Sequence, residues 1–237
     1  MIFKHFAARL FSKGTCPVSQ LCLAGAMVVC GFFGTGCATT GQADAVAISH
    51  VRGNVFVLQP FFPAHIRRVA VLPISTLADN WEADYQIPKL EPVLHDEIGK
   101  SRRFEQITIT RDQLRQWTGK TTWSVQEKLP ANFFRKLQDE TGSDAVLFTR
   151  LHPFHGFKPM VLGWELRLVD FQTALTIWAA DETFDAGDPA VARAASHYFL
   201  AHERGGNPLA DGEAALNSPG RFSAYALNEM LATMPAR

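Results

Sequence analysis

The sequence predicts an α/β (α+β) fold: a single mixed β-sheet of about five strands with helices packed on its faces. Three observations predict it. Arg67 to Ile74 is a compact apolar run opened by charge and closed at Pro73, the pattern of a buried strand. The apolar stripe Leu90, Leu94, Ile98 separates it from a second strand at Phe104 to Ile109, and a crossover helix implies parallel neighbours in one sheet. Val161 to Phe171 alternates and returns as Leu175 to Phe184 around Gln172-Thr173, an antiparallel hairpin that makes the sheet mixed.

The elements follow in order. Asn54 to Leu58 reads as a short strand before a Pro60–Pro63 turn. After the Arg67–Ile74 strand comes a polar loop holding Trp81 and Tyr85, then a helix from about Glu91 to Lys100 with Pro92 in its first turn, where no backbone donor is needed. Thr110 and Gln113 have the spacing of a capping box and open a short helix through Leu114 and Trp117. A polar stretch, Gly119 to Lys128, leads to a helix at Pro130 to Thr141 with Gly142 placed for a left-handed cap. Asp144 to Leu151 is the next strand, ahead of the hairpin. Asp188-Pro189 opens a helix to Glu203 that Gly205-Gly206 ends, a Gly/Pro/Asn-rich loop runs to Pro219, and Phe222 to Met234 is the last helix. On the hairpin, Leu162, Trp164, Leu166 and Leu168 share one face. Leu168 and Trp178 are expected to meet across it, in one core with Leu94, Phe133 and Leu137.

The N-terminus is of another kind. Residues 1–20 carry Lys4, Arg9 and Lys13, and no acidic residue precedes Asp44. Leu21 to Phe33 supplies roughly a dozen mostly apolar residues, enough for a signal-peptide core and short of the ~20 that span a bilayer. Gly34-Thr35-Gly36 then precedes Cys37. This order resembles the lipobox of bacterial lipoproteins, in which the signal is cut before the cysteine and the cysteine is acylated. The chain departs from the family's preference for Leu three residues before the cysteine, having Gly34 there. An ordinary signal cleaved nearby, or an uncleaved anchor, is the alternative. The expected organisation is a signal peptide over 1–36, a lipidated N-terminus and tether over 37–52, and one α/β domain over 53–237. Ala38 after the cysteine favours the outer membrane over the inner.

Composition bounds the function. The four cysteines are Cys16, Cys22, Cys30 and Cys37, so the expected domain has neither disulfides nor a cysteine-built metal site. Removing Lys4, Arg9 and Lys13 from 23 basic residues leaves 20 against 23 acidic, a net charge of −3 and no electrostatic footprint for nucleic acid. Membrane attachment would rest on acyl chains at Cys37, at ~0.8 kcal/mol per buried methylene.

Val69-Ala-Val-Leu-Pro73, Phe104-Glu-Gln-Ile107, Thr141-Gly-Ser-Asp-Ala-Val-Leu147 and Leu166-Arg-Leu-Val-Asp170 before Leu175-Thr-Ile-Trp178 resemble the CsgG-like and TolB-N-terminal-like group of envelope α/β domains, over roughly residues 66–185. The resemblance implies an assembly scaffold, a secretion component or a partner-binding module. It does not imply a pore, because no pair of long amphipathic hairpins is available here.

Candidate chemistry is sparse. His152 and His155 have a spacing seen in metal sites, with Asp181 or Asp185 as further ligands; on a loop without an acidic neighbour they read instead as solvent-facing or packing residues. His197 and His202, five apart, fall on different helix faces. Asp181, Glu182 and Asp185 read as a charged strand end, and Glu165 and Arg167 as a polar face that pairs with Asp181 across the hairpin. There is no Gly-x-Ser-x-Gly elbow and no phosphate-binding glycine loop. Trp81, Tyr85, Trp117 and Trp123 lie in polar stretches, where they cover the core or form a partner-binding surface. The expectation is a non-enzymatic, membrane-anchored envelope protein without cofactor or metal. It would act as an assembly, adaptor or secretion-associated module, with an envelope protein partner or self-association. The rivals are a regulator docking a cell-wall synthase and a hydrolase using Asp181, Asp185 and His155.

Overall fold

The computed structural model describes residues 53–77, 80–202 and 212–237. Cys37, the signal, the tether and Gly205-Gly206 lie outside the described residues.

Among the described residues, seven strands and six helices follow in the order β1 (Val55–Val57), β2 (Arg68–Val71), β3 (Ser75–Thr76), α1 (Trp81–Ser101), β4 (Glu105–Thr108), α2 (Arg111–Thr118), α3 (Phe133–Thr141), β5 (Ala145–His155), β6 (Val161–Asp170), β7 (Thr176–Asp185), α4 (Pro189–His202), α5 (Glu213–Leu216) and α6 (Pro219–Leu231). They form one open mixed sheet in the order β1-β7-β6-β5-β2-β4, with β3 pairing β5. The crossover through α1 makes β2 and β4 parallel, and β2 is parallel to β5 as well. β5, β6 and β7 are an antiparallel meander, and β1 lies antiparallel on β7. The two strands beside the main five are short: β1 of three residues, within the Asn54–Leu58 strand read from sequence, and β3 of two, which the sequence pattern does not show.

Leu168 pairs directly with Trp178, the contact expected, but through a register shift between Leu168 and Val169, since a tight turn at Gln172-Thr173 alone would set Leu168 opposite Ile177. Trp164 and Trp178 are fully buried with Leu94, Leu166 and Leu168, against α1, α4 and α6. The single core expected is instead two. Phe133 and Leu137 lie on the other face, where α2 and α3 close over Ala70, Leu72, Val146 and Phe148. Neighbours along β2 and β5 point to opposite faces, so Val69 and Val71 serve one core and Ala70 and Leu72 the other.

α1 begins at Trp81, ten residues before the helix read from sequence. Asn80 caps it, its Oδ1 accepting the Ala83 amide at 3.1 Å, and Ala83 and Ile87 extend the buried stripe of Leu90, Leu94 and Ile98. Pro88 and Pro92 both lie within the helix on its exposed side, so the carbonyls their rings leave unpaired face water. The capping box at Thr110 and Gln113 is present, and Gly142 ends α3 at φ 61°, a conformation that favours glycine. α3 itself starts at Phe133 rather than Pro130. β5 runs on to His155, so His152 and His155 sit on a strand and not on a loop. A register shift between Leu151 and Phe154 lets Pro153 be carried within the ladder.

The last residues return to the start of the domain. Phe61 bridges Ala236, the Phe62 amide donates to the Ala236 carbonyl at 2.9 Å, and Arg237 Nη2 donates to the Ile66 carbonyl at 2.7 Å. Among the described residues no helix is long and apolar enough to cross a membrane.

Candidate functional site

The first turns of α1 carry Trp81 and Tyr85, four apart and therefore on one helix face. Trp81 is 70% exposed and Tyr85 nearly as open. The end of β5 and the loop after it bring Phe154, Gly156 and the exposed Phe157 opposite them. Together with Glu82 and Gln86 these residues line a cleft of about 220 Å³. A shallower hollow of about 370 Å³ adjoins it, bounded by Leu77, Asn80, His152 and His155.

Glu82 ties the two sides of the cleft together. Its Oε2 accepts the Gly156 amide at 3.2 Å and stands 3.6 Å from His155 Nδ1. His155 meets Phe157 edge-on, ring centres 5.9 Å apart, and Lys89 Nζ lies 4.5 Å from the Tyr85 ring centre. The arrangement is a carboxylate-braced aromatic cleft. It has large ring area for contact, a few polar groups at its floor, and no nucleophile paired with a base.

The four aromatic residues singled out from sequence do not form one surface. Trp81 and Tyr85 share the cleft. Trp117 is half-buried beside the second core. Trp123 is a correction to the sequence reading: it is 5% exposed, packs edge-on against Phe133 at 5.5 Å and donates from Nε1 to Thr118 Oγ1 at 2.7 Å. Residues 119–128 are polar but fold back over the sheet, which encloses the ring. The sequence does not mark Glu82, Gln86 or Phe157: the first two lie in the turns of α1 that precede Pro88 and Pro92, and Phe157 stands in the loop after β5.

Asp181, Asp185 and His155 do not converge. Val161 stands between His155 and Asp185 in the ladder, and Asp181 lies four residues along β7, opposite Glu165. Asp185 Oδ1 accepts the Gly187 amide at 2.7 Å. The pairing expected between Asp181 and the Glu165–Arg167 face takes another form. Buried Glu165 meets Arg150 Nη2 at 2.5 Å and Arg167 Nη2 at 3.5 Å, while Gln126 donates to it. Burial, with Glu165 beside it, pushes the Asp181 carboxyl above the usual carboxylate range. On α4, His202 stacks on Tyr198 and its Nδ1 lies 2.8 Å from the Tyr198 carbonyl; His197 is exposed. Among the described residues no group of three His, Cys, Asp or Glu side chains is arranged to hold a metal ion.

No protein-family model matches the chain, and no curated protein matches it in sequence. Solved structures of similar chain path include a PelC dodecamer from Paraburkholderia phytofirmans, at 14% identity and TM-score 0.42, covering 77% of this chain and 99% of that one. Lipoprotein GNA1162 from Neisseria meningitidis matches at 14% identity and TM-score 0.38, over 57% of this chain and 96% of that one. The LpoB C-terminal domain from Salmonella enterica matches at 15% identity and TM-score 0.32, over 49% and 81%. At such identities none of them carries its own role over to this chain.

Proposed function

We propose that this chain is a lipid-anchored protein of the bacterial envelope, held by acyl chains on Cys37 and acting without catalysis as an assembly or adaptor module. The observation that carries the reading is the cleft of Trp81, Tyr85 and Phe157: three large rings left in solvent around a floor that Glu82 braces against Gly156 and His155. Exposed aromatic clusters of this kind anchor protein contacts, because each ring buries a large area at small conformational cost. The partner is an envelope protein that inserts an apolar segment between α1 and the β5–β6 loop. The lipobox-like stretch ending at Cys37 and the CsgG-like resemblance of the strand motifs support the location and the scaffold role, and Ala38 favours the outer membrane.

The test is cross-linking in intact membranes of the source bacterium, followed by identification of the captured protein. A partner held by the wild-type chain should be lost in the Trp81→Ala, Tyr85→Ala, Phe157→Ala variant at unchanged thermal stability. Capture that is indifferent to those three rings removes the cleft as the docking site.

A further inference from the structure

The two edges of the sheet are protected differently. β4 carries exposed Glu105, ion-paired with Arg68, and follows Arg102 and Arg103. Charges of this kind keep a free edge from pairing with other strands. β1 lacks them: residues 53–63 contain no charged side chain, and Phe56, Val57, Leu58 and Phe61 are all exposed, Phe61 by 70%. Among the described residues, its register leaves a definite set of open backbone groups. The Asp181 amide donates to Asn54 and the Leu58 amide to Ile177, so Asn54, Phe56 and Leu58 turn their backbone toward β7. Val55 and Val57 turn theirs outward.

We infer that β1 pairs antiparallel with β1 of a second copy of this chain, about a two-fold axis through Phe56. In that register Val55 of each copy exchanges both backbone hydrogen bonds with Val57 of the other. The two Phe56 residues become a close, non-hydrogen-bonded pair, Cα atoms about 4.5 Å apart with rings on the same face. The absence of charge selects this occupant. In a two-fold contact every residue meets its own patch, so a charged strand would repel its copy, whereas an uncharged apolar one is self-complementary. Pro60 ends the ladder after Leu58. The charged β4 edge at the far side keeps the contact closed at two copies. This contact does not involve the aromatic cleft, and variants at Trp81 or Tyr85 should leave it intact.

The experiment uses the full chain extracted from membranes in detergent. Sedimentation should give a dimer, and Phe56→Lys, which sets two like charges across the axis at a solvent-exposed position, should weaken it at least tenfold with an unchanged melting temperature. In intact membranes Phe56→Cys should cross-link to a dimer while Tyr85→Cys does not. A wild-type chain that is monomeric at every concentration, or a dimer indifferent to Phe56→Lys, overturns the inference. So does a Phe56→Cys chain that cross-links only within itself, to residues 38–52, or a Phe56→Lys chain that loses lipid binding but not self-association.

Discussion

Trp123 and Trp178 sit on opposite faces of the sheet, each closing a core. Truncating either to Ala should cost ~3–5 kcal/mol, a large part of a typical stability of ~5–15 kcal/mol. Trp81→Ala and Tyr85→Ala should leave the unfolding midpoint in place; chemical denaturation of the four variants compares them directly. Trp178 was legible because it stands in an alternating strand with a readable turn. Trp123 was not, since its polar neighbours say nothing about a loop folding back over α3. Two carboxylates give opposite pH slopes. Burial raises Asp170, but the Gln172 amide, Thr173 hydroxyl and His65 outweigh it, and its pKa is held below the ordinary value. Its stabilisation is present above the unfolded pKa of about 3.9 and is lost as pH falls through the folded value. Asp181 is raised, so the folded state favours its protonated form; that stabilisation is present below the unfolded pKa and is lost as pH rises through the folded value. Asp170→Asn should therefore flatten the acid limb of a stability–pH curve, and Asp181→Asn the limb just above it.

Elements were legible wherever one period ran unbroken. β2, β6, β7, the capping box of α2 and the Gly142 cap of α3 are where the apolar spacing and the turn chemistry put them. α1 broke the rule because two prolines interrupt its pattern, and only a three-dimensional view shows both on the wet side. β5 broke it at Pro153, which reads as a strand end. The strand continues because Gly163 lies beside the irregularity: a Cβ on Gly163 would stand 2.4 Å from the His152 carbonyl oxygen. Gly163→Ala should force β5 and β6 apart there at a cost of ~1–3 kcal/mol. Hydrogen exchange should show faster opening at Phe154 and Leu162 than at Leu147 and Leu168. Uniform protection along the two strands would show that the backbone absorbs the methyl group.

On the scale of the whole molecule, one sheet separates two cores, and its ends differ: α1 and the β5–β6 loop present exposed rings, and β1 presents, among the described residues, an open apolar edge. The two-core layout was hidden in the sequence because a buried strand of continuous apolar residues does not reveal which neighbour takes which side. The proposed anchor acts on the molecule entire. Cys37→Ser should leave an unprocessed or soluble chain, and a Ser variant that still partitions with membranes after high-salt and carbonate washing would place the anchor elsewhere. The pairing pattern also sets a timetable. β5, β6 and β7 each find their partner next in sequence, whereas Val69 waits for Ala145 and Val55 for Ala180. Long-range pairs form late because their loops must close first, and synthesis delivers the N-terminal end first. Folding thus runs against the direction of delivery: a nascent chain halted before Ala145 has only β2 and β4 to pair, and one halted before Thr176 has nothing for β1 to hold.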